Sequence, residues 1–273
     1  MRDKQLQANY KKPLLLLISL LIVLGSCSSE PPIQTEILWD SWGVPHVFAD
    51  RWEGAFHAFG SAQMHSHGDL LLQLYGEARG RASEYWGEDY VESDIYIRRM
   101  GVPKRAEQWL ELQNPTIRVY LEAFAEGIND YAQANPESID DRVEVVLPVM
   151  ASDVLAHIQR VVHLDFVGAS LRDNVQEPVP GSNGWAIGPS RSESGNAMLL
   201  ANPHLRWSGS HTWFEAHLVA PQLNAYGATL VGFPILTVAF NDDLGWTHTA
   251  NTMDGADLYE VFRMGDGYAW PPV

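Results

Sequence analysis

The 273-residue sequence is 46% hydrophobic and carries 10 Trp, 10 Tyr and 9 Phe, which excludes a disordered chain and suffices for one large or two modest domains with an apolar core. Eighteen basic against 34 acidic residues give a formal net charge of −16, which argues against a nucleic-acid partner because phosphate binding requires a cationic face. A single cysteine excludes an internal disulfide framework and any Cys-based zinc finger.

Arg2, Lys4, Lys11 and Lys12 precede an apolar run from Leu14 to Leu24. As a helix this run spans about 16 Å, too short for a bilayer core of about 30 Å. A basic flank and a short apolar core predict a secretory signal over residues 1–26. Leu24-Gly25-Ser26-Cys27 resembles a bacterial lipobox, and the resemblance implies cleavage before Cys27 and lipidation of its thiol. The alternative is a buried free thiol in an uncleaved anchor. Ser28, Ser29, Glu30, Pro31 and Pro32 are polar and helix-breaking, so residues 27–35 read as a lipidated tether. The protein is expected to be exported and held by lipid in the bacterial cell envelope, at the outer membrane or facing the periplasm.

Glu36–Trp39 and Val44–Ala49 read as strands around the turn signal Asp40-Ser41-Trp42-Gly43. From Trp52 to Phe166 the helical period dominates. Asp69 is a candidate cap for a helix carrying Leu70, Leu71, Leu74, Tyr75 and Ala78. After Asn114-Pro115, Ile117, Leu121, Phe124, Ile128 and Tyr131 form one apolar face, and Asn135-Pro136 stops the helix. A further helix is predicted over Ser152–Phe166 with Val154, Ile158, Val161 and Val162 inward. Beyond Pro178-Val179-Pro180-Gly181 the segments become strand-like: Trp185–Ile187, Ala197–Leu200, Trp213–Val219, Tyr226–Leu230, Leu236–Phe240 and Leu258–Phe262.

The chemistry concentrates at this change of character. Taken alone, the Ser of Gly181-Ser182-Asn183-Gly184-Trp185 reads as a turn. Yet Ser182-Asn183-Gly184-Trp185-Ala186-Ile187-Gly188, then Ser194-Gly195, then Leu199-Leu200-Ala201-Asn202-Pro203-His204-Leu205 resemble the start of the β chain in the penicillin acylase family. That family of N-terminal nucleophile hydrolases includes penicillin G acylases and acyl-homoserine-lactone acylases. Gly232-Phe233-Pro234, Asn241 and Gly245-Trp246-Thr247-His248-Thr249-Ala250-Asn251 continue the likeness in order, and Trp39-Asp40 with Gly43-Val44-Pro45-His46-Val47 resemble the opening of its α chain. The resemblance implies an α+β fold, a four-layer αββα sandwich. Residues 36–181 would form the helix-rich α portion, with a short spacer at its end, and residues 182–273 the beginning of the strand-rich β portion.

A serine hydroxyl is a weak nucleophile unless a base takes its proton. Were the bond between Gly181 and Ser182 cut, the new α-amine, with an ordinary pKa of about 7.7–8.0, would serve as that base. Gly181 suits the cut because a residue without Cβ tolerates a strained backbone. The resemblance further implies self-cleavage there, an oxyanion donor in the backbone N–H of Ala250, and support of the nucleophile by His204, which otherwise reads as an ordinary core or surface histidine. The family's second oxyanion donor, an Asn side chain further along, has no match before Val273, so the sequence is expected to be incomplete. Asp254 and Asp257, with the carbonyl of Ala256 between them, are hard oxygen donors matching a structural Ca²⁺ site in the family. Asp173 is a weak candidate for a further ligand, and solvated turn acids are the alternative. Leu205, Val238 and His248 match positions lining the acyl pocket.

Other signals point elsewhere. His57, His65 and His67 lack both an HExxH pattern and a Cys partner, which argues against zinc. Gly188-Pro189-Ser190-Arg191-Ser192 lacks the closing glycine of a nucleophile elbow. Trp207, Trp213 and Phe214 read as core or pocket wall. The expected substrate is a small N-acyl amine such as a penicillin or an N-acyl-homoserine lactone, and the expected mature form pairs the chain's own α and β pieces. The competing expectation is an inactive, lipid-anchored binding protein of the same fold.

Overall fold

The computed structural model describes residues 34–167, 181–249 and 259–269. The predicted signal segment, Cys27, Asp173, Ala250, Asp254, Ala256 and Asp257 lie outside the described residues. Strands β1 (Thr35–Trp39) and β2 (Pro45–Ala49) form an antiparallel hairpin with Trp39 opposite Pro45. Its turn closes because the Asp40 carboxylate accepts from the Trp42 and Val44 N–H groups at 2.8 and 2.9 Å, while Gly43 adopts φ +79°. The Val44 bond is also the main reason that the Asp40 carboxyl titrates below its usual range.

A helical layer follows: α1 (Trp52–Ala78), α2 (Ala82–Trp86), α3 (Val91–Arg99), α4 (Val102–Leu112), α5 (Pro115–Ala134), α6 (Asp141–Glu144) and α7 (Ala151–Gln159). α5 begins where the sequence placed it, after Asn114, whose Oδ1 caps it by accepting from Thr116 N–H at 2.9 Å. Asp69 does not start a helix. α1 already runs through it, the break falls at His67 (φ −142°, ψ 32°), and Asp69 Oδ1 accepts from Asp140 N–H at 2.9 Å. The last predicted helix is also altered. α7 passes at Arg160 into a π-helical turn reaching Val167, and the wider turn leaves Val161 buried while Val162 faces outward.

Two glycines let α1 and α5 touch backbone to backbone. A Cβ on Gly60 would lie 2.2 Å from Phe124 O, and one on Gly127 only 1.9 Å from His57 O. Around this contact Phe59, Leu71, Leu72, Tyr75, Phe124, Ile128 and Val154 form the fully buried core. Behind it, Asp153 takes Arg79 on both carboxylate oxygens at 2.8 and 2.7 Å, and Arg79 also donates to the Val146 and Pro148 carbonyls.

The remaining strands are β3 (Ser182–Ile187), β4 (Met198–Pro203), β5 (Trp213–Ala220), β6 (Leu223–Leu230), β7 (Val238–Phe240), β8 (Gly245–Trp246), β9 (Phe262–Met264) and β10 (Gly267–Ala269). The class is therefore α+β, with the α- and π-helices of the described residues lying before residue 168 and most strands after residue 181. Six strands make one sheet in the order β1-β2-β5-β6-β7-β8, with β2 parallel to β5 and the other pairs antiparallel. Alternation sets its faces: Phe214, Ala216, Leu218 and Ala220 of β5 are buried on the helix side, and Glu215 and His217 face away. β3 and β4 form a separate antiparallel hairpin, as do β9 and β10.

Candidate active site

Ser182 is the first residue of β3, opposite Pro203, and is half-buried where the rest of β3 is exposed. The carbonyl of Gly181 accepts the backbone N–H of His204 at 3.2 Å, which ties the Gly181–Ser182 junction to the end of β4. Gly181 is not among the residues with positive φ, and a Cβ there would meet nothing within 4 Å, so the junction is open rather than strained. The His204 ring lies beside the junction but bonds to its neighbours: Nε2 donates to Asn202 Oδ1 at 2.7 Å and sits 3.1 Å from Asn183 Nδ2.

The hairpin is set against the segment that follows β8. A Cβ on Gly184 would lie 2.9 Å from the Thr247 methyl and 4.0 Å from that of Thr249, and one on Gly245 2.8 Å from the Leu199 side chain. The absence of a side chain at Gly184 thus lets β3 approach residues 247–249, the run leading into Ala250. Of the pocket candidates, Leu205 packs with Val161, Leu230 and Phe233, Val238 is half-buried opposite Ala228, and His248 is exposed. Trp207 is 95% exposed and walls nothing among the described residues, whereas Phe214 is core as expected.

The histidines set aside for zinc have other partners. His57 Nε2 meets Asp130 Oδ2 at 2.9 Å, His65 Nδ1 meets Tyr131 OH at 3.1 Å, and His67 packs edge-on to Phe214. Among the described residues no group of three His, Cys, Asp or Glu side chains is placed to hold a metal.

Sequence reasoning missed a polar chain on the sheet face turned away from the helices. His217 Nε2 donates to Asn224 Oδ1 at 2.8 Å, which leaves its Nδ1 to accept from His46 Nδ1 at 3.0 Å. Tyr226 beside them donates to Glu215 at 2.6 Å, and burial together with that bond pushes its hydroxyl up to about 12. The parallel β2–β5 pairing joins residues far apart in sequence, so only the alternation of each strand could have hinted at the cluster.

A helical layer lies on a mixed sheet, and a serine preceded by glycine opens an adjoining hairpin, an α+β arrangement. The penicillin amidase family model matches residues 34–270, and the chain belongs to that family. The acyl-homoserine lactone acylase PvdQ of Pseudomonas fluorescens strain Pf-5 is 27% identical over 278 residues, covering 87% of this chain and 36% of its own. The acyl-homoserine lactone acylase QuiP of Pseudomonas fluorescens strain Pf0-1 is 22% identical over 306 residues, covering 86% and 37%. A thermostable penicillin G acylase from Alcaligenes faecalis aligns with 50% of this chain and 76% of its own, at a TM-score of 0.45 and 22% identity. The chain spans little more than a third of the length of the curated relatives it matches.

Proposed function

We propose that this chain carries the nucleophile of a hydrolase of linear amide bonds, with Ser182 as an N-terminal residue that uses its own α-amine as base. The observation that supports the reading best is that the strand opened by Ser182 packs through Gly184 on Thr247, in a member of the penicillin amidase family. In the precursor, Ser182 Oγ adds to the Gly181 carbonyl carbon, whose oxygen already faces the His204 N–H. The C–N bond breaks, the acyl group moves to oxygen, and water hydrolyses the ester to a Gly181 carboxylate and a free Ser182 amine.

In turnover the amine takes the hydroxyl proton while Ser182 Oγ attacks the substrate carbonyl. The backbone N–H of Ala250 stabilises the oxyanion, the leaving amine departs with the proton, and water releases the acid from the acyl-enzyme. His204 donates to Asn202 Oδ1, which Asn183 Nδ2 also approaches at 3.3 Å, and so ties the strand ends together. Leu205, Val238 and His248 line the acyl side. The substrate is an N-acyl amine of the kind named for the relatives, an N-acyl-homoserine lactone or a penicillin.

N-terminal sequencing of the purified protein should read Ser182 on one of two chains. Ser182→Ala should remain one chain and hydrolyse nothing in an acyl panel. Two chains from that variant would defeat the proposal, and a single uncut wild-type chain that binds amides without turnover would favour the binding-protein alternative.

The proposal extends to a lipid on Cys27, which places the protein in the cell envelope, and to Ca²⁺ on Asp254, Asp257 and the Ala256 carbonyl, donors hard enough for that ion. Stripping Ca²⁺ should lower the melting temperature, since an ion bound only by the folded state stabilises it. An unchanged melting temperature with no metal by mass spectrometry removes calcium from the account.

A further inference from the structure

On the helix side of the sheet lies a cavity of about 170 Å³ that none of the site residues lines. Trp52, Phe56 and Phe59 of α1 form one wall, Leu218 and Ala225 the sheet wall, and Trp246 with the Pro234–Leu236 loop the rest. The two polar side-chain atoms of these lining residues are already engaged: Trp52 Nε1 donates to Pro221 O at 2.9 Å and Trp246 Nε1 to Leu236 O at 3.3 Å. A ligand's charge or hydroxyl would therefore be left without a partner inside.

The walls are held apart by contacts outside the cavity. Trp52, Phe56 and Tyr120 stack at 10 to 27° between ring planes, which fixes the α1 wall. The loop wall is anchored from below. Gln63 bonds both Gly232 N–H (2.8 Å) and Phe233 O (2.9 Å), Tyr75 OH donates to Gly232 O at 2.7 Å, and His157 Nε2 to Val231 O at 3.0 Å. Gly232 itself sits at φ +89°, with His157 and Tyr75 about where a Cβ would go. A void with walls tied in this way resists collapse, unlike an ordinary packing fault.

We infer that this cavity is a binding site for an uncharged, benzene-sized ring, a site independent of the amidase reading. An apolar cavity of about 150 Å³ in another protein stays dry and binds benzene or xenon, so the volume here is of the right order. Surrounding aromatic rings add edge-to-face contacts to a ring ligand beyond area burial. Ile235, exposed at the rim, leaves the cavity open to entry.

The test titrates the full chain with benzene and, separately, benzoate, following the melting temperature, and maps xenon in a pressurised crystal. Benzene should raise the melting temperature by a few degrees, benzoate should leave it unchanged, and xenon should appear between Phe56 and Ala225. Ala225→Phe fills the space and should weaken benzene at least about tenfold. Should that variant fail to fold, Leu223→Ala widens the rim side and should shift preference from benzene towards naphthalene. No benzene shift and no xenon peak in the wild type, an unaltered benzene response in Ala225→Phe, or an unaltered ring preference in Leu223→Ala would each overturn the inference.

Discussion

The helix–sheet body and the β3–β4 hairpin are built on opposite terms. In the body, α1 and α5 meet backbone to backbone, Arg79 and Asp153 are sealed behind them, and the side chains between helices and sheet are almost wholly buried. The hairpin carrying Ser182 is exposed along nearly all of both strands, with Trp185 62% and Met198 55% accessible among the described residues. Cohesion resides in the body, and Ser182, the proposed nucleophile, rides on an element that contributes little to it. Substitutions in the two regions should therefore separate into losses of stability and losses of processing.

The largest loss is expected from Gly127→Ala. Its methyl would sit 1.9 Å from a main-chain oxygen of α1, so neither helix can yield without breaking the contact that organises the layer. A fall of more than about 3 kcal/mol in urea unfolding, or failure to fold, is expected. A loss under about 1 kcal/mol would show that the body is not organised by this contact.

A smaller effect on the same region comes from acid. His157 is fully buried, and burial, reinforced by the Arg160 charge and only partly opposed by the bond to Val231 O, pushes its pKa from 6.5 down to about 3. Because the folded value is the lower one, the neutral ring stabilises the fold above 6.5, and that stability drains away as pH falls from there towards 3. The slope is about 1.4 kcal/mol per pH unit within this window. Urea melts at neutral pH and two units lower should show it, and His157→Gln should flatten it. An equal slope in that variant would assign acid lability elsewhere.

Local chemistry was readable from the sequence wherever one or two residues decide the outcome. Asp40-Ser41-Trp42-Gly43 specifies its turn, Asn114-Pro115 caps α5, and alternation located β5 and β6 to within a few residues. What escaped depends on partners remote in sequence. α1 buries Gly54, Ala55, Ala58, Gly60 and Ala62 on several sides, so it shows no single apolar stripe, and although the helical stretch is legible from Trp52, its first half does not read as part of one helix with the Leu70–Ala78 face. Asp69 resembles a cap by type, yet its acceptor serves Asp140. The outward turn of Val162 follows from a π-helical widening that no periodicity announces. For the candidate site, the Ser182 junction was legible from its glycines and following motif, whereas the packing of Gly184 on Thr247 and the bond of His204 N–H to Gly181 O arise only when the hairpin closes.

Gly184→Ala puts the sharpest edge on the comparison, because its effect on stability should be the smallest and its effect on function should not. The added Cβ would meet the Thr247 methyl at 2.9 Å, a contact that an exposed hairpin relieves by moving a few tenths of an ångström. Such a shift costs less than about 1 kcal/mol. The same shift moves the strand that Ser182 opens, and a misplacement of about 1 Å can slow a reaction that depends on near-attack alignment about a hundredfold. Self-cleavage, followed as the appearance of two chains after synthesis is halted, should slow several-fold while the urea midpoint barely moves. If the two instead fell together, the hairpin would belong to the cohesive body, and the division between a rigid support and a lightly held nucleophile would have to be abandoned.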